Sequence, residues 1–441
     1  MASVNNDRPN ILIRNIPCIM TMDPLLGNIS GGDIYIENGQ IKSVGKTSNT
    51  QNYPTSATII DGSKMIVLPG LVDTHWHMWT ALLRSLASRH GIGYFKVKAL
   101  YGTYFTAEDM YHGTMLACTE AISSGITTVH NWCHNIQNVE YALSSIKALK
   151  ELNVRGRFSY GVSAPNPQQP LDLKAITKLH TNWSRDYSND GLLALGIAWR
   201  GLHPDFDLGK KELEFGRKLG IPISYHANDP GDITQLASEN MLGVDLQIIH
   251  AVPATDAEVK QLGKSNSPVC IAPFTELRLG YGIAPIPQML DAKLTMGLSI
   301  DSTALTGNTD MFAVMKVFYN LTNALNKKEF SITAQRVLEI ATIEGARSLG
   351  MSDTIGSLTV GKRADLIMID LDDINLGFLT EPANLIVEAA QRANVDTVIV
   401  DGRILKSQGK LTSINKEQVI QGARRASQNV IQRVQHHLQQ Q

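Results

Sequence analysis

A chain of 441 residues with 43% apolar and 18% charged residues can bury the core of one large α/β barrel plus an accessory domain, or of three average domains. Forty Lys and Arg against 41 Asp and Glu leave a net charge of -1. That balance gives no electrostatic footprint for nucleic acid or an anionic membrane, so the expected partner is a small molecule or another protein.

The four cysteines, Cys18, Cys118, Cys133 and Cys270, form no CxxC pair, which fits a reducing cytoplasm better than a disulfide framework. The opening MASVNNDRPN lacks the basic and apolar regions of a signal peptide. No apolar run approaches the roughly 20 residues of a membrane span. A soluble, cytoplasmic protein is expected.

Residues 1–68 carry short strand signals, ILIRN, GDIYIENGQIKSVG and ATIIDGSKMIVL, with hairpin dipeptides at Asn38-Gly39 and Asp61-Gly62. Eight strand candidates then alternate with helical stretches: MIVLPGLVDTH, GITTVHNW, GRFSYGVS, LLALGIAWR, IPISYHA, LQIIHA, PVCIAPF and TMGLSIDS. The helical stretches include TAEDMYHGTMLACTEAISSG and PATDAEVKQLGK, the latter with capping-box spacing from Thr255 to Glu258. This alternation predicts a (β/α)8 TIM barrel over 69–357. Short strands return in GSLTVGKRADLIMID and VDTVIVDGRILKSQG, so 1–68 and 358–412 are expected to pair into one small discontinuous β-sandwich domain. Residues 413–441 read as a long polar helix, packed on the barrel or on a neighbouring subunit.

Barrel enzymes project their functional side chains from the carboxyl ends of strands. Strand one closes on His75 and His77, strand five on His226, strand six on His250 and strand eight on Asp301. The period of two points His75 and His77 the same way, as two ligands of one cation must. A lone strand-end histidine is ordinarily satisfied by a backbone partner. Four of only 12 histidines falling at such ends, with an aspartate, read instead as ligands for Zn²⁺ or another borderline divalent ion.

The segments PGLVDTHWH, SYHAND, IIHAVP, SIDSTALTGNTDMF and GSLTVGKRADLIMID resemble the metal-dependent amidohydrolase superfamily, from about Ile11 to Lys406. Within it the likeness is to the cytosine deaminase, guanine deaminase and triazine hydrolase branch. The resemblance implies one divalent metal per subunit, Zn²⁺ with Fe²⁺ or Mn²⁺ as alternatives, bound by His75, His77, His226 and Asp301. It also implies a homo-oligomer, dimer or tetramer. His250 would contact the metal-bound water or the substrate oxygen, and Asp301 would accept the water's proton. Strand four, LALGIAWRGLHPDF, has no lysine at its end, so the two-metal arrangement bridged by a carboxylated lysine is disfavoured.

Two positions depart from the branch's pattern. Its usual glutamate proton shuttle, three residues after the strand-five histidine, is Asp229 here; Asp229 serves as a shorter shuttle or as the N-cap of GDITQLASENML. Strand seven carries Thr275-Glu276 in place of Ser-Asn. Glu276 could bind an amino or amidino group, carry the proton instead, or pair with Arg278. Trp76, Trp79, Trp132, His134, Trp199 and His203 cluster near strand ends and are candidate contacts for a flat heteroaromatic substrate, with core packing the alternative for each tryptophan. The stretch HGIGYFKVKALYG reads as a lid or a subunit contact.

The expected activity is hydrolysis of a non-peptide C–N bond of a small cyclic molecule, led by hydrolytic deamination through metal-bound hydroxide. The alternative is hydrolysis of an amide, carbamate, alkylamino or halide substituent without ammonia release. A non-catalytic scaffold of the same fold is the distant third.

Overall fold

The computed structural model describes residues 8–47, 53–88, 91–164, 166 and 168–440. The chain divides into two compact units, Met1–Thr74 with Ala121–Thr128 and Asp310–Ile414, and His75–Glu120 with Val129–Thr309 and Asn415–Gln441.

In the first unit the two chain ends share one nine-stranded sheet. Ile11–Met20 pairs antiparallel with Asn28–Glu37, and Met65–Pro69 pairs antiparallel with Leu366–Asp370. Its core is built from apolar positions of both segments, among them Ile11, Ile13, Ile34, Val67, Leu366, Met368 and Ile399, all fully buried. The turns at Asn38-Gly39 and Asp401-Gly402 have positive φ at both residues, the conformation that suits the twist of a tight hairpin. Asp61-Gly62 forms no hairpin. The strands on either side of it, Thr58–Asp61 and Met65–Pro69, both run parallel to Ile11–Met20, and the Asp61 carboxylate accepts the Ser63 N–H.

Eight parallel strands close the barrel: Leu71–Trp76, Ile126–Cys133, Arg155–Tyr160, Leu193–Trp199, Ile223–Ala227, Leu246–His250, Val269–Ile271 and Met296–Leu298. The run MIVLPGLVDTH is therefore two strands. Its first half joins the sheet and its second half joins the barrel. Gly70 stands at the break, where a Cβ would lie 2.0 Å from Thr127 Oγ1, so only glycine lets the chain pass.

The intervening helices start and stop on legible signals. Thr255 and Glu258 form the expected capping box, and Gly220 ends Phe206–Leu219 in the left-handed conformation. The last helix, Lys416–Gln439, buries a stripe of Gly422, Ala423, Ala426, Val430 and Val434 within the second unit. Its Ser427 hydroxyl donates to the Leu82 carbonyl and Arg433 pairs with Asp109. All four cysteines are buried and in no disulfide, and no helix among the described residues is long and apolar enough to cross a membrane.

Candidate active site

The carboxyl ends of the barrel strands bring together the five residues picked out by strand-end position. His75 Nε2 lies 3.2 Å and His77 Nε2 3.3 Å from Asp301 Oδ1, and His226 Nε2 lies 3.1 Å from His75 Nε2. His250 Nε2 is 4.0 Å from Asp301 Oδ2. Candidate ligand atoms of His75, His77 and His226, and of His75, His250 and Asp301, fall within 4.8 Å of one another.

The backbone holds this group directly. Asp301 donates its N–H to the His75 carbonyl at 3.1 Å, and its own carbonyl accepts the His77 N–H at 2.6 Å. Asp301 has φ 57 and His250 φ 69, left-handed conformations that end each strand sharply and swing the side chain inward. The His77 ring is turned by a contact of its Nδ1 with the Trp132 carbonyl at 3.1 Å.

Burial pushes the His75, His77 and His226 pKa values down, and for His77 and His226 the neighbouring imidazoles push further. Asp301 goes the other way: burial opposes its charge, but the hydrogen bond with His75 and the imidazole charges prevail and lower its pKa. The site thus offers neutral imidazoles and an ionised carboxylate, the donor set that suits Zn²⁺ and similar ions. Two neutral imidazoles facing nitrogen to nitrogen at 3.1 Å are satisfied only by sharing one proton, or by a cation that both can ligate. The residues fit a metal.

Glu276 is buried behind His250, not in the cavity wall. Its Oε1 accepts from His250 Nδ1 at 3.1 Å and from the Ala272 N–H at 2.8 Å. Burial disfavours the His250 cation, yet Glu276 and Asp301 outweigh it and raise the His250 pKa. The expected pairing of Glu276 with Arg278 is absent; Arg278 donates instead to the Leu305 carbonyl at 2.7 Å.

The cavity beside these residues has a volume of about 180 Å³. Of the candidate substrate contacts, Trp132, His134 and Trp199 line it. Three other candidates do not. Trp76 lies between His75 and His77, so strand alternation turns it into the core. Trp79 packs on Phe105 with ring centroids 5.0 Å apart and approaches His134 Nδ1 from behind at 3.5 Å. His203 is exposed and borders a separate small pocket.

Asp229 is exposed and outside the cavity wall, while its neighbour Asn228 lines it. Nor does Asp229 cap the next helix: the N-cap of Asp232–Ser238 is Gly231, and the Asp232 carboxylate accepts the Asp229 N–H.

Sequence reading missed several wall residues. Tyr94, Phe95 and Lys98 come from the helix Tyr94–Thr103, and Tyr281 from the loop after the helix Pro273–Leu279. Of the suspected lid stretch, His90 lies outside the described residues. Arg200, directly after the fourth strand, was within reach of the strand-end rule.

The amidohydrolase family profile matches residues 66–405. The chain is 26% identical over 444 residues to a 5-methylthioadenosine/S-adenosylhomocysteine deaminase of Caldanaerobacter subterraneus subsp. tengcongensis, covering 96% of this chain and 99% of that one. It is 28% identical over 459 residues to a 5'-deoxyadenosine deaminase of Methanosarcina barkeri, covering 96% of this chain and 99% of that one. The fold matches a zinc-bound adenosine deaminase from Xanthomonas campestris with a TM-score of 0.85 at 21% identity, over 96% of this chain and 99% of that one. It also matches an atrazine chlorohydrolase from Arthrobacter aurescens, complexed with zinc and atraton, with a TM-score of 0.81 at 19% identity, over 95% and 100% of the two chains.

Proposed function

The chain belongs to the amidohydrolase family, a hydrolase of carbon–nitrogen bonds other than peptide bonds, and from that premise we propose that it deaminates a small aminated heterocycle using one zinc ion. The observation that carries this reading is the contact of His75 and His77 with Asp301 and of His226 with His75, beside an aromatic-walled cavity. Deaminase relatives aligned over 96% of the chain support it.

His75, His77, His226 and Asp301 would hold the ion, which when bound supplies a water acidified to a pKa of about 7. Asp301 keeps its charge and is the acceptor for a proton leaving the nucleophile. His250, held by Glu276, presents Nε2 toward the same place and donates to the developing negative charge or to the departing amine. Glu276 acts through His250 as a positioning residue rather than by touching substrate. Trp132 and Trp199 supply flat apolar walls, and about 180 Å³ is below the roughly 300 Å³ at the low end of drug-sized pockets, so a single ring suits it best. We further propose a cytoplasmic homo-oligomer.

A second reading is hydrolysis of an amide, carbamate, alkylamino or halide substituent; the exposed position of Asp229 favours its halide branch, whose leaving group departs as an anion and needs no proton. One experiment separates them. Elemental mass spectrometry on protein purified without chelator is expected to give one zinc per chain, and a panel of aminated rings is expected to release ammonia. Zinc without ammonia from any aminated ring, but with hydrolysis of amide or halide analogues, selects the second reading. No retained metal, even after reconstitution, defeats both. With Asp229 outside the wall, Asp229→Asn is expected to keep turnover within about threefold; a loss beyond tenfold would restore it as a proton shuttle acting through water.

A further inference from the structure

The cavity wall carries two cations with no ion-pair partner among the described residues, although the Asp301 charge acts on Lys98. Arg200 follows the fourth strand, and its Nε and Nη2 atoms are buried with no hydrogen-bond partner among the described residues. Its guanidinium lies 5.7 Å from the Trp132 ring. Lys98 reaches the same cavity from the helix Tyr94–Thr103, with Nζ 5.3 Å from the Phe95 ring and no carboxylate partner among the described residues. Asp301 is the only carboxylate in the wall among the described residues, and it contacts the histidine cluster. The other orphaned donors point to the same need: Trp132 Nε1 and Trp199 Nε1 are also buried and unbonded among the described residues.

Placing two like charges in a cavity of about 180 Å³, where each must shed water, is unfavourable unless something anionic enters. The pressure is visible on Lys98, whose ammonium is pushed down to about 8 by burial and by the Arg200 charge. A divalent ion at the histidines would add to the positive excess. A neutral ring would leave these groups unanswered; an anionic oxygen would meet a lysine point charge and a planar arginine fork together.

We propose that Lys98 and Arg200 form a clamp for an anionic oxygen group on the substrate, so that the heterocycle enters as an acid, bearing either a carboxylate or an ionised ring oxygen. The assignment of this ligand as substrate rests on the deaminase reading above. The clamp itself does not, since it concerns which molecules bind.

The test is calorimetric binding to zinc-loaded protein at pH 8 with two matched probe pairs: 6-aminonicotinate against 6-aminonicotinamide, and ammelide, which ionises at its ring oxo groups, against melamine. The expected result is a preference of about tenfold or more for the anionic member of one pair. Which pair shows it identifies a pendant carboxylate or a ring oxygen as the source. Lys98→Met and Arg200→Gln, singly and together, should bring that ratio to within about threefold while zinc content and binding of the neutral probe hold. Lys98→Arg should retain it. Lys98 stands on a partly exposed helix, so the single Lys98→Met variant carries the test if the double variant does not fold. Equal binding within both pairs, or a preference that survives both substitutions because the metal alone attracts the anion, overturns the clamp. Ammonia release from neutral rings with no anion preference would defeat the clamp and leave the deaminase reading standing. A Lys98- and Arg200-dependent preference without hydrolysis of any C–N bond would do the reverse.

Discussion

The nine-stranded sheet and the open end of the barrel treat buried polar groups in opposite ways. In the sheet the buried Asp401 has company: it sits among Arg8, Arg363 and Arg403, with Arg8 Nη2 at 2.6 Å and Arg403 Nη1 at 2.7 Å. Around the cavity, Arg200, Trp132 and Trp199 hold buried donors with no partner among the described residues, and neutral imidazoles crowd nitrogen to nitrogen. Left-handed backbone follows the same division. In the sheet and its turns it falls at Asn15, Met22, Asn38, Asp401 and Gln408; at the barrel end it falls at His250, Ala251 and Asp301, beside the candidate site. One region is arranged for stability by itself. The other is left incomplete, as binding of the proposed ligand and cation would require.

The comparison is broken most severely by His226→Ala. Activity should fall on the order of 10³-fold or more, with bound metal lost, while the metal-free variant should melt no lower than the metal-free wild type. A large drop in the metal-free melting temperature would mean the cluster stabilises the fold unaided. Ile13→Ala addresses the opposite region. It empties a fully buried position of the sheet core and should cost about 2–5 kcal/mol in denaturant titration while leaving zinc stoichiometry at one. Loss of zinc in that variant would erase the division of labour.

Glu276→Gln sharpens the comparison from the cavity side. Removing the charge behind His250 should lower kcat about 10- to 100-fold with KM and zinc content little changed. If KM rises instead and kcat holds, Glu276 touches substrate. The smallest effect concerns Lys406, whose Nζ donates to the Ser123 carbonyl at 2.7 Å and whose pKa burial pushes down to about 8. A base with a lowered folded pKa loses its proton in the native chain first, so the unfolded chain binds more protons above pH 8 and the fold gains stability up to the unfolded value near 10.4. Against Lys406→Met, the wild type should therefore gain in urea midpoint from pH 8 to pH 10; parallel curves would show that the ammonium is not desolvated.

The two regions also differed in how far they could be read beforehand. The five cluster residues were legible because ligation imposes local rules, a period of two at His75 and His77 and a fixed place at each strand's carboxyl end. The same alternation turns Trp76 away from the cavity, although its position beside two ligands drew attention to it. Lys98 and Arg200 could not be paired in advance: they are 102 positions apart, and only the fold sets the helix Tyr94–Thr103 against the end of the fourth strand. Glu276 was noticed for its charge, but whether it faced substrate or His250 depended on side-chain direction in a short helix after the seventh strand. In the sheet, Asn38-Gly39 behaved as local turn chemistry demands. Asp61-Gly62 did not, because both strands it connects pair with a third strand that no dipeptide can announce.

The seam between the first and last barrel strands has a consequence for how the chain reaches its native state. Trp76 and Asp301 form the bridge there, and the two hydrogen bonds between Asp301 and the backbone of His75 and His77 span more than 220 residues of sequence. Contacts so distant along the chain form late in folding. On the proposed ligand set, a cation would find His75, His77, His226 and Asp301 together only when the ring of strands shuts. Retention of the proposed metal would then certify completed assembly: chains halted with seven strands in place, or with the eighth out of register, would carry Asp301 away from the histidines and leave the ion in solution.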